Sequence, residues 1–335
     1  MTKLICAPMA TLSHEAFRRA VEKFGGCDEY FTEMINASSL LTMGPFEKYY
    51  LLSGPVPEKI VWQVTGWDSS VLGKAAKVLA LQGGIGVDIN MGCSAPQIYK
   101  TGAGISWMLK PLEETALAVR NVRKALEESE RETGHHMRLS VKCRLGAEDY
   151  TDEGFFSFTD MLVNEGVEMI SLHPRTIKEK NRLNPKYQYV QLLKERYGKN
   201  NILVIANGNI KDTPSAQNAL LKAPGADGLM IARAAASKPW IFDEIKTGLT
   251  EPSLLKSHTV DRRQLAYDFI DDVVKYQPEE FWKTRIQRFF NYYCEQFSFG
   301  HYFQSKMLNY KGIEEAKEQI RDYFEKESGD ILYRY

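Results

Sequence analysis

The sequence is poor in cysteine, and the thiols that it has form no recognisable pattern. Five cysteines occur among 335 residues, an odd number, and none belongs to a C-x-x-C pair. This arrangement argues against a disulfide framework and against a zinc ribbon. No His, Cys and Asp residues recur at the spacing of metal ligands, so we expect no bound metal. Unpaired thiols are typical of a reducing compartment, and we expect a cytoplasmic protein.

The sequence also lacks net charge and long apolar runs. Lys and Arg number 43, as do Asp and Glu, so the formal net charge is zero and no global field favours a nucleic acid. Any contact with RNA must therefore depend on a local basic patch. No apolar run approaches the roughly 18 residues needed to span a bilayer. The N-terminal residues lead into a strand-like run rather than a signal peptide, and we expect a soluble protein without a membrane partner.

Short apolar runs, separated by room for a helix, fill the first two-thirds of the chain. Eight such runs predict strands at residues 4–9, 29–34, 60–65, 85–90, 139–142, 168–173, 202–207 and 228–231. Nearly continuous apolar strands are typical of parallel sheets that are buried on both faces. Eight strand–helix units favour an α/β fold of the (β/α)8 TIM-barrel type. An open doubly wound sheet is the alternative, but no G-x-G-x-x-G follows the first strand.

The pattern changes from about residue 253, where helical periodicity replaces the strand-like runs. Helices are predicted at residues 265–276, 281–297 and 313–327, with turn signals between them. We therefore predict a catalytic barrel domain over residues 1–250 and a small all-α domain over residues 251–335. The sequence carries no internal repeat and no low-complexity segment.

Polar and charged residues arrive at the ends of most predicted strands, although the strands themselves are apolar. In TIM barrels, chemistry takes place where strands end and the following loops begin. These strand ends carry Gln63, Asn90, Lys142, Arg144, His173, Arg175, Asn207, Gly208, Asn209 and Arg233. A stable barrel does not require such residues there, so their arrangement predicts a ligand site at the mouth of the barrel.

The last two strand ends suit a phosphate group. The loops after strands seven and eight of such barrels often bind phosphate through backbone N–H groups. Gly208 allows close backbone approach, and Arg233 adds a planar fork of donors. In the alternative interpretation, Gly208 only forms a tight turn and Arg233 is a surface cation. Lys142 would stabilise negative charge on a reduced ring and Gln63 would match ring edges, demands that flavin mononucleotide satisfies.

The fourth predicted strand delivers one thiol, Cys93, into a loop that contains Pro96, Gly102 and Gly104. A strand that ends in a polar residue and a thiol on a glycine-rich loop is typical of an active site. The alternative is that Cys93 is a small hydrophobic residue that caps the strand. The loop by itself leaves both interpretations open.

A local basic patch occurs in the C-terminal helical segment, in the stretch F-W-K-T-R-I-Q-R-F-F-N-Y-Y. Its cations Lys283, Arg285 and Arg288 are interleaved with aromatic residues, a pattern that suits phosphate contact and base stacking. Alternatively, the aromatic residues form the core of the helical domain, because a stripe at helical spacing is commonly buried.

Five motifs in register resemble the tRNA-dihydrouridine synthase family. They are N-M-G-C-S-A-P-Q-I-Y-K-T-G-A-G, V-K-C-R-L-G, S-L-H-P-R-T, V-I-A-N-G-N-I and G-L-M-I-A-R-A-A-A-S-K-P-W-I-F. The resemblance extends from Ala7 to Phe242. Three departures stand out, one of which is the segment at residues 177–184, where the family usually has a glutamine-containing continuation. Ser94-Ala95-Pro96 follows Cys93 where the family often has proline directly, and Ala232 replaces a commoner glycine.

The resemblance implies an FMN flavoprotein that uses NADPH to reduce the C5–C6 double bond of particular uridines in tRNA. Carried over by position, the flavin contacts are Pro8, Met9, Ala10, Gln63, Lys142, His173, Asn207, Gly208, Asn209, Ala232 and Arg233. Cys93 corresponds to the general acid. Substrate contacts are expected from Asn90, Arg144 and Arg175 at the barrel mouth and from Lys283, Arg285 and Arg288 on the helical segment.

The implied chemistry places specific demands on the residues around the uracil. Hydride is delivered to C6 and a proton to C5, and a cysteine thiol is protonated at neutral pH and able to supply that proton. The uridine must be extruded from the folded tRNA, which the helical domain would hold by backbone and shape. Two other functions remain open at this point. They are a flavin-dependent oxidoreductase of the dihydroorotate or dihydropyrimidine type and a non-catalytic tRNA-binding protein.

Overall fold

The computed structural model describes residues 2–147, 150–179 and 182–335. Its central element is a closed parallel barrel, as the sequence predicts. The strands are β1 (Lys3–Cys6), β2 (Glu29–Phe31), β3 (Ile35–Asn36), β4 (Ile60–Thr65), β5 (Gly86–Met91), β6 (Arg138–Cys143), β7 (Met169–Leu172), β8 (Leu203–Asn207) and β9 (Gly228–Ile231). β1 pairs with β2 and with β9, and β2 pairs with β4, which closes the ring. The short β3 also pairs with β4 and continues the strand position begun by β2, so the barrel has eight positions.

Helices surround the barrel between successive strands. They are α1 (Glu15–Glu22), α2 (Ala37–Thr42), α3 (Glu47–Tyr50), α4 (Ser69–Ala80), α5 (Pro96–Tyr99), α6 (Leu112–Thr133), α7 (Asp152–Asn164), α8 (Gln188–Tyr197), α9 (Thr213–Lys222), α10 (Arg233–Ser237) and α11 (Ile241–Thr250). Asp68, Thr151 and Asp212 cap α4, α7 and α9 by accepting a backbone N–H with their side chains. Each such cap is typically worth about 1 kcal/mol of stability.

The period-two alternation of the strands separates an outer apolar layer from an inner layer that becomes polar toward the barrel mouth. In β4, Trp62 and Val64 belong to the large core between the strands and the helices, whereas Val61 belongs to a small core inside the barrel. The next residue on the inner face of β4 is Gln63, which is fully buried. The same order recurs in β7, where Met169 fills the barrel interior and buried Ser171 follows it. The interior is therefore packed at the bottom and polar at the top.

The C-terminal part of the chain is mainly helical, with α12 (Arg262–Tyr276), α13 (Glu279–Tyr293), α14 (Gly300–Asn309) and α15 (Ile313–Lys326). It also contains an antiparallel ribbon of β10 (Thr259–Asp261) and β11 (Leu332–Arg334), which the sequence analysis did not predict. Neither was α14 predicted as a separate helix. The division at residue 250 stays a prediction. No helix in the described ranges is both long and apolar enough to cross a membrane.

Aromatic residues build the core of this helical part. Phe289 stacks on Phe269 with ring centroids 3.8 Å apart, and Tyr293 stacks on Phe289 at 4.8 Å. Phe290 packs edge-on against Phe303 at 5.8 Å. All five rings are buried. For these residues of α13, the core interpretation of the aromatic stripe is therefore the correct one.

Candidate active site

A cavity of about 1080 Å³ opens at the carboxyl ends of the barrel strands. Sixteen of the eighteen residues that the sequence analysis assigned to a site line this cavity. They are Pro8, Met9, Ala10, Gln63, Asn90, Cys93, Lys142, Arg144, His173, Arg175, Asn207, Gly208, Asn209, Ala232, Arg233 and Arg288. The topology explains this grouping, because parallel strands bring their carboxyl ends together at one mouth.

Cys93 is held in the cavity wall by its backbone. Its N–H donates to Oδ1 of Asn90 at 3.0 Å, and its carbonyl oxygen accepts from the N–H of Ile105 at 3.0 Å. Arg144 donates from Nε to the carbonyl oxygen of Gly92 at 3.1 Å. Cys93 is half-buried, whereas the other four cysteines are buried. The thiol that was predicted to be functional is therefore the accessible one.

Gly104 closes the Cys93 loop at a point where another residue would not fit. Its φ is +60°, and a Cβ at this position would lie 2.5 Å from the carbonyl oxygen of Cys93. Glycine is required there for both reasons, since an L-residue is disfavoured at this φ and its side chain would collide with the backbone.

Cations crowd the centre of the cavity. Burial and the nearby Arg144 lower the pKa of Lys142 to about 8. Burial, together with Arg175, lowers the pKa of Arg144 to about 10. Burial alone disfavours any charge, but the repulsion among Lys142, Arg144 and Arg175 would be relieved by negative charge placed between them. The cavity therefore suits an anionic ligand, or one that becomes anionic during a reaction.

His173 is neutral in this environment. Its burial and the surrounding cations, Lys142 first among them, hold its pKa well below the usual range. Nε2 of His173 lies 2.7 Å from Nη1 of Arg175 and, because guanidinium nitrogens only donate, Nε2 must accept. The proton of the neutral imidazole is therefore on Nδ1, where it is available for donation to a ligand.

In the loop predicted to bind phosphate, Gly208 lies against His173 and Arg175, and within the described ranges Arg175 has an unpaired donor. Gly208 has a φ of +119°, and a Cβ there would lie 3.0 Å from Cδ2 of His173 and 3.1 Å from Nη1 of Arg175. Tyr187 donates its hydroxyl hydrogen to the carbonyl oxygen of Gly208. Arg175 is fully buried, and its Nη2 has no hydrogen-bond partner among the described residues. An oxyanion in the cavity would satisfy this donor.

Two other residues predicted to contact the phosphate differ in their surroundings. Asn207 is buried, and its Nδ2 donates to the carbonyl oxygen of Met230 at 2.8 Å, which ties β8 to β9. Arg233 is the first residue of α10 and is exposed at the cavity wall. The side chain of Asn207 therefore supports the barrel, whereas that of Arg233 is accessible to a ligand.

The basic patch of α13 is only partly as expected. Arg285 is 2% exposed and forms an ion pair with buried Glu33, so its assignment as an RNA contact is wrong. Lys283 is exposed but does not line the cavity, and Arg288 is half-buried and does. Lysines that the sequence analysis missed also line the cavity, namely Lys211, Lys222 and Lys238. Lys211 was detectable, because it follows the N-G-N-I motif directly.

The barrel and its cationic mouth define an enzyme site of the TIM-barrel class, and comparison with known proteins identifies the family. The sequence profile described as dihydrouridine synthase (Dus) matches residues 5–330, and the chain belongs to this family. It is 31% identical over 275 residues to a probable tRNA-dihydrouridine synthase of Helicobacter pylori, covering 82% of this chain and 77% of that protein. It is 29% identical over 258 residues to tRNA-dihydrouridine synthase B of Pseudomonas syringae pv. tomato, covering 76% and 72% of the two chains.

Solved structures show the same barrel at low sequence identity. Morphinone reductase superposes with a TM-score of 0.52 at 13% identity, covering 73% of this chain and 86% of that one. A mutant of the same reductase in complex with tetrahydroNAD gives a TM-score of 0.54 at 12% identity, with 75% and 89% coverage. At this level of identity the likeness establishes the fold alone.

Proposed function

We propose that this protein is a tRNA-dihydrouridine synthase, which reduces the C5–C6 double bond of specific uridines in tRNA. Membership in the dihydrouridine synthase family supports the activity, and so do the relatives that carry this name. One structural observation carries the proposal furthest. The accessible thiol of Cys93 lines a cavity that is crowded with cations at the mouth of the barrel.

The residues of the cavity fit FMN as the prosthetic group. The unpaired Nη2 of Arg175 and the exposed Arg233 suit its phosphate, as does Gly208, which carries no side chain. Gln63 and Lys142 would contact the ring, with Pro8, Met9 and Ala10 alongside them. When bound, FMN supplies the hydride for the uracil, and NADPH is the proposed source of that hydride.

Lys142 and His173 would stabilise negative charge in the cavity in different ways. With a pKa of about 8, Lys142 is mostly a cation at neutral pH. His173 is neutral and offers its Nδ1–H. A buried cation and a fixed dipole, both already in place, stabilise developing charge without reorganisation.

Cys93 is the proposed acid, which delivers a proton to C5 of the uracil. Arg144 supports the backbone beside this acid by donating from Nε to Gly92 O at 3.1 Å, and it also donates from Nη1 to Thr176 O at 3.3 Å. Because Arg144 and Asn90 both support the Cys93 loop and line the cavity, a substitution of either would affect the loop as well as the proposed uracil contact.

Other cations of the cavity lining suit the backbone of an RNA. Lys211 precedes α9, Lys222 is the last residue of α9, Lys238 follows α10, and Arg288 belongs to α13. These cations of the cavity lining would contact phosphates on either side of an extruded uridine. They replace the buried Arg285 in the proposed RNA contact.

The proposal is tested with the full-length protein, FMN, NADPH and tRNA that lacks dihydrouridine. We expect bound flavin with its yellow spectrum, NADPH oxidation that depends on tRNA, and dihydrouridine in the digested tRNA by mass spectrometry. Reduction of free uridine or orotate while tRNA stays unreduced would instead establish a small-molecule reductase. Failure to bind FMN would favour a tRNA-binding protein without catalysis.

A further inference from the structure

A chain of hydrogen bonds joins the interior of the barrel to the Cys93 loop. Asp88 accepts from Oγ of Ser140 and from Nε2 of Gln63, both at 2.8 Å. Gln63 accepts at Oε1 from Nδ2 of Asn90, also at 2.8 Å. Asn90 in turn accepts at Oδ1 from the N–H of Cys93 at 3.0 Å.

Strand register creates this chain. Asp88 lies opposite Gln63 on β4 and opposite Ser140 on β6. Asn90 is two residues further along β5 and therefore points to the same inner face as Asp88. Asp88, Gln63 and Ser140 are fully buried, and Asn90 is 6% exposed. A group left unpaired here would carry the full cost of desolvation, so the hydrogen bonds of all four must be satisfied together.

This series of hydrogen bonds can be satisfied with only one assignment of donors and acceptors. Burial raises the pKa of Asp88 to about 6, so at neutral pH its carboxylate only accepts. The NH2 group of Gln63 must therefore face Asp88, which leaves its carbonyl oxygen for Asn90. At the other end, the N–H groups of Gly92 and Cys93 both donate to Asn90, at 3.3 and 3.0 Å. Reversal of either amide would place oxygen against oxygen or N–H against N–H.

We propose that Asp88 is a positioning residue, which orients the Gln63 amide and, through Asn90, holds the backbone of the Cys93 loop. One N–H of Gln63 is committed to Asp88, so the other is left to donate into the cavity. Asp88 is not among the residues that line the cavity, and it acts through those that do. The consequence for catalysis rests on the proposed function, whereas the effect on the loop does not.

Three substitutions separate this role from simple core packing. Asp88→Leu keeps a side chain of similar size but removes the acceptor. Asp88→Asn loses the charge but keeps an acceptor for Gln63, because its oxygen faces Gln63 and its NH2 group donates to the Ser140 hydroxyl. The donors and acceptors from Gln63 to Cys93 are then unchanged. Ser140→Ala removes the other hydrogen bond of Asp88 and also leaves the donors and acceptors from Asp88 to Cys93 unchanged.

Hydrogen–deuterium exchange of the full-length protein measures the result at the Gly92 and Cys93 amides. In Asp88→Leu we expect exchange there to become at least about tenfold faster, since the acceptor of both amides is no longer fixed. In Asp88→Asn and Ser140→Ala we expect rates within about twofold of the unsubstituted protein. Peptides from α12 should be unchanged in all three. An unchanged loop in Asp88→Leu, or equally fast exchange in Asp88→Asn, would overturn the proposal.

A second variant guards against the failure of Asp88→Leu to fold. Gln63→Met interrupts the chain one link later and leaves Asp88 bonded to Ser140, and the same acceleration at Gly92 and Cys93 is expected. Failure of both variants to fold would assign these residues to the core and overturn the proposal. Exchange requires no turnover, so its outcome is distinct from that of the functional test. If the protein forms dihydrouridine, Asp88→Leu should lower kcat and leave KM for tRNA within about twofold. Asp88→Asn should keep kcat close to that of the unsubstituted protein.

Discussion

The carboxylate of Glu33, just beyond β2, forms a buried ion pair with the guanidinium of Arg285 on α13. The other oxygen of Glu33 accepts from the backbone N–H of Thr11 at 3.2 Å. The ring of Phe281 lies 4.8 Å from the Arg285 guanidinium carbon. Thr11 follows the residues proposed to line the flavin and has a φ of +61°, which is uncommon for a β-branched side chain. One carboxylate therefore connects this loop of the barrel to α13 in the helical C-terminal part of the chain.

Removal of one partner of this ion pair should be far more destabilising than removal of a surface pair. In Arg285→Met the carboxylate of Glu33 stays buried without its cation, and we expect a loss of about 3–5 kcal/mol in the free energy of unfolding by urea denaturation. Lys23→Met is the matched control, because Lys23 pairs with Asp268 between the same two parts of the chain but is partly exposed. It should cost less than about 1 kcal/mol. Equal costs for the two variants would contradict this account.

Lys142 should destabilise the flavin-free protein at neutral pH. Its pKa of about 8 in the folded state lies below the ordinary lysine value of about 10.4 expected in the unfolded chain. Folding therefore favours the neutral form of Lys142, and holding its cation in the folded protein lowers the free energy of unfolding. This loss of stability is fully present below pH 8 and disappears as the pH rises toward 10.4. We expect Lys142→Met to be more stable than the unsubstituted protein by about 2–3 kcal/mol at pH 7, and this difference to shrink above pH 8. Urea denaturation across pH 6.5–10 measures it. A difference that grows with pH would have the wrong sign.

The sequence was informative where local pattern and topology act together. β4 and β9 have the predicted bounds, because each is an apolar run with clear breaks on both sides. Once a closed parallel barrel is inferred, the carboxyl ends of its strands must meet at one mouth. The residues at those ends are therefore predicted to line one cavity. Asp88 was missed because it is one polar residue within an apolar strand. Arg285 was misassigned because its partner Glu33 is 252 positions away, and no local spacing shows which face of α13 packs against the barrel.

The C-terminal ribbon was missed for a related reason. β10 and β11 are three residues each, and α12 to α15 lie between them in the sequence; Val260 pairs opposite Tyr333. Three residues are too few to show a period of two, and their hydrogen bonds depend on helices that bring the two ends together.

Substitution of Cys93 should abolish most turnover without loss of flavin. General acid catalysis typically contributes about 10²–10⁴-fold, so Cys93→Ala should reduce tRNA-dependent NADPH oxidation within that range and keep the bound FMN spectrum. Cys294→Ala, at a buried position directly after α13, controls for the loss of a thiol elsewhere. Full dihydrouridine formation by Cys93→Ala would remove this residue from the mechanism.

Comparison of Gly104 with Gly134 separates two effects of a substitution: displacement of the Cys93 backbone, and the strain of placing a side chain at positive φ. Both have positive φ, +60° and +72°, so alanine should cost about 1–2 kcal/mol at either position. Only at Gly104 would the new Cβ meet the carbonyl oxygen of Cys93, whereas at Gly134 no atom of the described residues lies within 4 Å. We expect Gly104→Ala to lower kcat at least about tenfold and Gly134→Ala to leave kcat unchanged, although both lower stability. Similar kcat values for the two variants would show that the loop tolerates displacement.

Charge reversal at the end of α9 should weaken tRNA binding in a salt-dependent manner. Lys222 lines the cavity at the end of α9, where a phosphate contact would release a counterion from the RNA. We expect Lys222→Glu to raise the Kd for tRNA about three- to tenfold near 0.1 M salt and to reduce the slope of log Kd against log salt by about 1. Lys124→Glu is the control, because Lys124 is exposed on α6 and does not line the cavity. Fluorescence anisotropy with labelled tRNA at several salt concentrations measures both quantities. Equal losses of affinity for Lys222→Glu and Lys124→Glu would indicate a general charge effect and exclude Lys222 as an RNA contact.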